Sequence, residues 1–298
     1  MLAARETRML SAERMERMID APTNDEAAKT LEECGYGDLS GLSAKEVNAA
    51  LEARIAAVFT ELENMVPERE LVQLFRLKYD YHNAKTLMKA QAAGVDGSAL
   101  LSQRGNVPVA VMKSAFVNED YSDVPPMLAE AMQEAAGILS RTANPQLADF
   151  AMDRAYFAQM LSLAEAINDG GFTVGYARLQ IDSANLRAAV RTHRMGKDND
   201  FLKTALISGG TIGTDRVAAA SGAAAMNGGS LTEFELLCDN ALLDYVREAK
   251  RKSFGAAHVC AYLAAMESEI TAARMILTGR LSGLEPGVIR ERLRETYA

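Results

Sequence analysis

The sequence predicts an all-α protein made of three similar helical modules. One pattern occurs three times, with an acid followed five positions later by a base: Asp80 and Lys85, Asp182 and Arg187, Glu269 and Arg274. Apolar residues accompany each copy at alternating spacings of three and four, which marks one face of an α-helix. The composition agrees, because Trp is absent, Gly and Pro number only 21 and 7, and alternating strand patterns are nearly absent.

The spacing of the three copies predicts the domain organisation. The acids lie 102 and 87 residues apart, which is too long for a solenoid unit of about 20–50 residues and suits a small helical domain. We therefore expect repeat domains at residues 1–94, 95–198 and 199–298.

In the first module, polar residues and prolines separate four predicted helices. A short helix is expected at Arg5–Ile19, and a second opens at Thr23. Ser43 and Glu46 have the spacing of a capping box ahead of an amphipathic stretch. The first repeat helix is expected at Arg69–Gly94.

Prolines and glycines mark the helices of the second module. A short helix is expected after Pro108, and Asp123 with Pro125 marks the start of another helix. Asn144-Pro145 opens a long helix that Gly170-Gly171 closes, and the second repeat helix runs from there to about Met195.

The third module repeats this layout. Ser230 and Glu233 again have capping-box spacing, at the start of a helix expected to run through Lys252. A break is expected at Gly255, the third repeat helix follows it and ends at Gly279, and a last helix follows Pro286.

A polar stripe lies beside the apolar face in the first two repeat helices. It comprises Arg76, Asp80 and Asn83 in the first copy and Arg178, Asp182 and Asn185 in the second, whereas Ala272 replaces the amide in the third. A buried carboxylate needs a partner, and the Arg four positions earlier is one candidate. We expect these residues to fix helix packing within each module. The alternative is that the stripes contact a partner protein.

Charge and motifs exclude several function classes. The net charge of −8 argues against a nucleic-acid or anionic-membrane partner. The longest uncharged stretch, at residues 217–232, is shorter than the ~20 apolar residues of a membrane span. Cys34, Cys238 and Cys260 are expected to be buried thiols in a reducing compartment, with neither a disulfide framework nor a metal set.

Other candidate residues favour structural interpretations. The Gly-rich segment at residues 208–214 lacks the Gly-Lys-Ser/Thr ending of a P-loop, so we interpret it as a flexible connection between domains. The Ala/Gly-rich tract at 218–229 is expected to be a loop or a tightly packed small-residue helix. His82, His193 and His258 are expected at surface or packing positions, and no carboxylate is expected close to His258. The basic cluster of Arg247, Lys250, Arg251 and Lys252 is typical of a solvated helix C-terminus, or of a contact with acidic groups of a partner.

Several segments carry a family resemblance. They are Arg5-Glu-Thr-Arg-Met-Leu-Ser, Phe75-Arg-Leu-Lys-Tyr-Asp-Tyr-His-Asn-Ala-Lys, Ile181-Asp-Ser-Ala-Asn-Leu-Arg and Arg274-Met-Ile-Leu-Thr-Gly-Arg. With these segments in this order, the chain resembles the C subunits of the A-type and V-type ATPases and ATP synthases, whose counterpart in eukaryotic V-ATPases is called the d subunit. Ala272-Ala273 departs from the Asn-Leu that the family commonly has, which suggests a lost buried hydrogen bond.

The resemblance implies a funnel of three helical domains with pseudo-threefold symmetry. Such a subunit sits between the rotating shaft of the ATPase head and the membrane-embedded proteolipid ring, which are then its partners. It has neither catalytic residues nor cofactors of its own, is cytoplasmic and peripherally associated with the membrane, and is a monomer when isolated. In that setting the alternative for the polar stripes is a contact with the shaft. This alternative includes the bases Lys85, Arg187 and Arg274 and the acid Glu269.

Two other function classes remain open from the residues alone. One is a helical protein-interaction adaptor unrelated to ATPases, and the other is an enzyme. Since the sequence contains no recognisable triad, metal set or phosphate loop, the enzyme ranks last. A rotor subunit would be encoded beside genes for other rotor subunits, and the purified protein would capture shaft and ring subunits. These two observations distinguish it from the adaptor.

Overall fold

The computed structural model describes residues 2–225, 230–251 and 255–298, and every regular element in this part of the chain is a helix. This confirms the all-α prediction. The α-helices, in chain order, are α1 (Leu2–Glu6), α2 (Ala12–Asp20), α3 (Asn24–Glu33), α4 (Ala44–Glu63), α5 (Arg69–Ala93), α6 (Val109–Asn118), α7 (Pro126–Thr142), α8 (Pro145–Glu165), α9 (Phe172–Arg194), α10 (Asn199–Ala205), α11 (Thr214–Ala225), α12 (Leu231–Arg247), α13 (Ala256–Leu281) and α14 (Pro286–Arg290). Two short 3₁₀ helices lie at Ser98–Leu100 and Glu248–Arg251.

The contacts divide the chain into two compact units. One combines Met1–Pro67 with Gly229–Ala298, and the other is Glu68–Gly228. The three modules expected from the sequence have different boundaries. Their similarity to one another stays a prediction.

The first unit is built around α13. Helices α1, α2, α3, α4, α12 and α14 all pack against it, and its face is apolar enough to bury Tyr262, Leu263 and Ile276 almost completely. Helix α4 begins with the predicted capping box, in which the Ser43 hydroxyl accepts from the Glu46 N–H and the Glu46 carboxylate accepts from the Ser43 N–H.

The second unit is built around α8, which packs against α5, α7, α9 and α10. Asn144 caps α8 by accepting the N–H of Gln146, and Pro145 occupies the first turn. The first repeat helix, α5, begins at Arg69 as predicted and ends at Ala93, and it is followed by Gly94, whose φ of 65° suits a left-handed C-cap.

The expected single helix at Arg5–Ile19 is wrong. The chain forms α1 and α2 with an interruption between them. Ser11 is the N-cap of α2, where its hydroxyl accepts the N–H of Arg14. The preceding residue, Leu10, donates its backbone N–H to the Glu269 side chain instead of to a helical carbonyl. A distant side chain thus stabilises a break that periodicity does not reveal.

Three other local predictions had mixed outcomes. Helix α12 begins after Ser230 as expected, but the Ser230 side chain makes no capping hydrogen bond. The predicted extension of this helix to Lys252 is wrong as far as the chain is described, because α12 ends at Arg247 and Glu248–Arg251 form a 3₁₀ helix; Lys252 itself lies outside the described residues. Residues 226–229 of the Ala/Gly-rich tract also lie outside them, while 218–225 belong to α11. Cys34 and Cys260 are buried thiols outside any disulfide, and Cys238 is only half-buried. Burial raises the pKa of the Cys34 thiol to about 11.

Candidate functional site

Asp80 lies on α5 and is 1% exposed. Its Oδ1 accepts the Val107 N–H at 2.9 Å, and its Oδ2 accepts the backbone N–H of Asn106 at 3.1 Å and the side-chain amide at 2.9 Å. Burial raises the pKa of this carboxyl above its ordinary value, while the three hydrogen bonds and the charge of Arg76 oppose that rise. The partners that satisfy Asp80 are therefore mainly backbone donors of a following loop.

Asp182 occupies the equivalent position on α9 and is 4% exposed. Its Oδ2 accepts the N–H of Thr211 at 3.0 Å, and its Oδ1 accepts the N–H of Ile212 at 3.0 Å. The Thr211 hydroxyl also donates to Oδ2. This is the arrangement around Asp80 repeated in a second helix and loop.

Glu269 on α13 is the third acid and is 7% exposed. Its Oε2 accepts the Leu10 N–H at 2.6 Å, and its Oε1 accepts the Tyr36 hydroxyl at 2.6 Å. Burial raises the pKa of Glu269, and the bonds from Tyr36 and Leu10 oppose the rise. Burial and the neighbouring Glu269 charge also raise the pKa of Tyr36 well above its ordinary value, so this hydroxyl stays a donor.

The three acids bind equivalent points of the backbone. Val107, Ile212 and Leu10 each lie two residues before a short helix begins, at Val109, Thr214 and Ala12. Each acid therefore anchors the chain where it enters a short helix. For the two aspartates the anchored segment follows the repeat helix, whereas for Glu269 it comes from the N-terminal end of the chain.

Two glycines permit the close approach of the loops to the aspartates, and sequence reasoning missed them as site residues. A Cβ added at Gly105 would lie 2.2 Å from Asp80 Oδ1, and one added at Gly210 would lie 2.1 Å from Asp182 Oδ1. Both glycines stand two residues before the anchored residue, in the matching segments Gly105-Asn106-Val107-Pro108 and Gly210-Thr211-Ile212-Gly213. That shared Gly-x-Val/Ile spacing, after each aspartate, was a signal in the sequence.

The two amides of the stripe also anchor these loops. Asn83 donates to the Ser102 carbonyl and accepts the Ser102 N–H, both at 2.8 Å. Asn185 does the same with Ile207, at 2.7 and 2.8 Å. Ser102 and Ile207 each lie five residues before the residue that the aspartate anchors. The methyl group of Ala272 cannot make this pair of bonds, so the third repeat helix holds its segment through Glu269 without an amide.

Two of the three bases link their repeat helix to a neighbouring long helix. Lys85 on α5 pairs with Asp153 on α8 at 2.7 Å. Arg274 on α13 bonds to Asn48 at 2.9 Å and pairs with Glu52, both on α4. Arg187 is half-buried on α9, and Arg178, also on α9, is exposed.

Three interpretations from sequence need correction. The Gly-rich segment at 208–214 lies within one compact unit and is held by Asp182, so it is not a flexible connection between units. His258 does have a carboxylate nearby, because its Nε2 lies 3.5 Å from Glu6 at the other end of the chain. Arg247 and Lys250 bind this chain's own C-terminal segment, at Glu295, Thr296 and Tyr297, which neither the solvated helix C-terminus nor the partner contact predicted.

Within the described ranges, none of the helices combines the length and apolar character that crossing a membrane requires.

Comparison with known proteins agrees with the resemblance seen in the sequence. The chain is 23% identical to the C subunit of the V-type sodium ATPase of Enterococcus hirae, over 100% of this chain and 97% of that protein. It is 21% identical to the C subunit of the A-type ATP synthase of Methanocaldococcus jannaschii, over 98% and 84%. Identity to the C subunit of the V-type ATP synthase of Thermus thermophilus is 26%, over 59% of this chain and 57% of that protein. The profile of the family described as ATP synthase (C/AC39) subunit matches residues 1–292, and the chain therefore belongs to this family of V-type and A-type rotary ATPase subunits.

Proposed function

We propose that this protein is the coupling subunit of a V/A-type rotary ATPase, a socket that joins the rotating shaft to the membrane proteolipid ring. The observation that carries the proposal is the family match over nearly the whole chain. The repeated anchoring of short helices by Asp80, Asp182 and Glu269 supports it, because three equivalent modules suit a part that must carry torque on all sides of an axis.

The subunit acts mechanically and does no chemistry of its own. The three buried acids are satisfied by backbone N–H groups and a tyrosine, which suits structural anchors and leaves no carboxylate in this set poised as a general base. The shaft and the ring are its partners, and it is attached to the cytoplasmic face of the membrane through them. It needs no cofactor and is a monomer when isolated.

The test is reconstitution of the complex with and without this chain. With the chain, ATP hydrolysis by the head drives ion transport, and shaft and ring subunits co-purify with it. Without the chain, the head still hydrolyses ATP, but transport is lost. The isolated chain shows no turnover. ATP hydrolysis that follows the purified chain and disappears on a point substitution in it would contradict the proposal.

We also propose that Asp80 and Asp182 fix the modules and do not grip the shaft. Asp182→Asn should lower the melting temperature, because an amide nitrogen turned toward either backbone N–H leaves a buried donor without an acceptor, at a cost of about 1–3 kcal/mol. Shaft binding should weaken only as stability is lost. An unchanged melting temperature with a salt-sensitive loss of shaft binding would assign the stripe to the interface instead.

A further inference from the structure

A cavity of about 220 Å³ lies beside the Glu269 anchor, in the unit that combines residues 1–67 with 229–298. Residues of α1, α4 and α13 line it, together with the segments that follow α1 and α3. Its volume is below the range of about 300–1,000 Å³ that is usual for pockets of drug-sized ligands. The cavity therefore suits a small ion and is too small for a whole nucleotide.

The lining of this cavity is rich in arginine. Arg5, Arg8 and Arg54 contribute three guanidinium groups, and Glu61 and Glu269 contribute two carboxylates. Arg5 forms an ion pair with Glu61. Glu269 already accepts the two hydrogen bonds of its anchor. Both carboxylates are therefore engaged, and two of the three guanidinium groups are left to be accounted for.

Arg8 and Arg54 form no ion pair in the part of the chain that the structure describes. The Nε of Arg54 is buried without a hydrogen-bond partner among the described residues. The Arg54 guanidinium lies 5.7 Å from the centroid of the Tyr36 ring, a cation–π contact that holds the group in place and leaves its N–H groups available as donors. A buried donor without an acceptor is costly, so an acceptor that enters the cavity would stabilise Arg54.

We propose that this cavity, called here the arginine cavity, binds a small inorganic oxyanion such as sulfate or phosphate. The guanidinium group presents its donors in a planar fork that matches two oxygens of an oxyanion. Arg8 lies between α1 and α2, and Arg54 lies on α4, so a bound oxyanion joins the interrupted segment to a long helix. The inference goes beyond the proposed function and does not depend on it, because it concerns the isolated chain.

The negative charge of Glu269 is the main force that opposes an anion in the arginine cavity. Three guanidinium groups face two carboxylates in the lining, so one positive charge remains in excess even with both acids ionised. Burial raises the pKa of Glu269, and the charge of Arg54 is one of the influences that oppose this rise. An excess of cations and an unpartnered buried donor thus favour the anion over the repulsion from one carboxylate.

The experiment is a calorimetric titration of the full chain with sodium sulfate, in sodium chloride at matched ionic strength. The cavity variant carries Arg8→Gln and Arg54→Gln. The matched control carries Lys45→Gln and Arg292→Gln, two exposed cations of the same unit outside the cavity. Both variants remove two positive charges. Melting curves check that each is folded, and Arg8→Gln alone replaces the cavity variant if it is not, because Arg8 is exposed.

We expect the wild type to bind one sulfate per chain, the cavity variant to bind it about tenfold more weakly, and the control to bind nearly as the wild type does. Titrations with inorganic phosphate and with ATP test the size of the ligand. Phosphate should bind at the same site, and ATP should bind no more tightly than phosphate. The inference is overturned if the wild type shows no saturable binding of sulfate, or if the cavity variant binds as the wild type does. It is also overturned if the control loses as much affinity as the cavity variant, or if ATP binds more tightly than phosphate.

Discussion

At the scale of single residues, side-chain length and loop conformation are coupled in the three anchors. The two aspartates are short, and each meets a loop that carries glycine two positions before the anchored N–H. The third acid is Glu269, one methylene longer, and Arg8 stands where the other loops have glycine. The longer side chain reaches Leu10 at 2.6 Å without requiring the backbone to approach so closely.

We predict that Gly105→Ala and Gly210→Ala each lower the free energy of unfolding by about 1–3 kcal/mol, the usual cost of overpacking. A Cβ at either position would overlap the aspartate oxygen, and moving the loop would lengthen the hydrogen bonds to the carboxylate. Chemical denaturation measures the effect. Gly213→Ala is the matched control, since nothing lies within 4 Å of its added Cβ, and it should change stability by less than about 0.5 kcal/mol. Equal effects at Gly210 and Gly213 would contradict the packing argument.

The raised pKa of Glu269 predicts how the stability of the folded chain changes with pH. Burial raises its pKa in the folded chain above the ordinary value of 4.5, so the folded state binds the proton more tightly than the unfolded state. The stabilisation linked to this proton is fully present below pH 4.5 and is lost as pH rises through the folded pKa. Glu269→Gln removes the titration.

The measurement is the difference in unfolding free energy between wild type and Glu269→Gln, followed from below pH 4.5 to neutral pH. The advantage of the wild type should be largest at acidic pH and should decrease as the pH rises toward neutrality. Other carboxyls titrate in both proteins, so their contributions cancel in the difference. An advantage that grows with pH would show that the Tyr36 and Leu10 hydrogen bonds outweigh burial.

At the scale of helices, the sequence predicted the repeat helices closely. Helices α5, α9 and α13 have the expected apolar faces and nearly the expected ends, because their signals are local. The break between α1 and α2 was missed because it depends on Glu269, far away in the chain. Likewise, the Arg four positions earlier was one candidate partner of Asp80, and its charge does act on the carboxylate, but the loop at Asn106–Val107 supplies hydrogen bonds that the sequence did not reveal.

Ion pairs between helices should contribute much less than the buried anchors. Lys85 and Asp153 are 27% and 40% exposed, and Arg274 and Glu52 are each 35% exposed. We predict a coupling energy of about 0.2–1 kcal/mol for each pair in a double-mutant cycle with alanine, decreasing at high salt. The matched control is Lys203 with Asp200, an exposed pair within α10, which should couple still more weakly. A coupling above about 2 kcal/mol would mean that these pairs hold the helices together.

At the scale of the whole molecule, the sequence repeats and the compact units divide the chain at different residues. The repeats predict modules at 1–94, 95–198 and 199–298, whereas the compact units are 68–228 and the combination of 1–67 with 229–298. The reason is that each repeat helix packs against an element of another module: α5 against α8, α9 against α11, and α13 against α4 of the first module. Periodicity detects which segments are alike, but it does not detect which segments they pack against. We therefore propose the modules as repeating units and the compact units as folding units.

This proposal predicts how fragments behave. A fragment of residues 68–228 should melt cooperatively with high helix content, because it keeps α5 on α8 and both aspartate anchors with their loops. A fragment of residues 95–198 should not, because it loses α5 and also the loop at Thr211–Ile212 that satisfies the buried Asp182. An unsatisfied buried carboxylate and an uncovered apolar face on α8 both favour the unfolded chain. Circular dichroism melting of the two fragments makes the comparison, with the longer fragment carrying Asp182→Asn as the control that removes one anchor. A cooperative transition of the shorter fragment near that of the longer one would show that the middle module folds on its own.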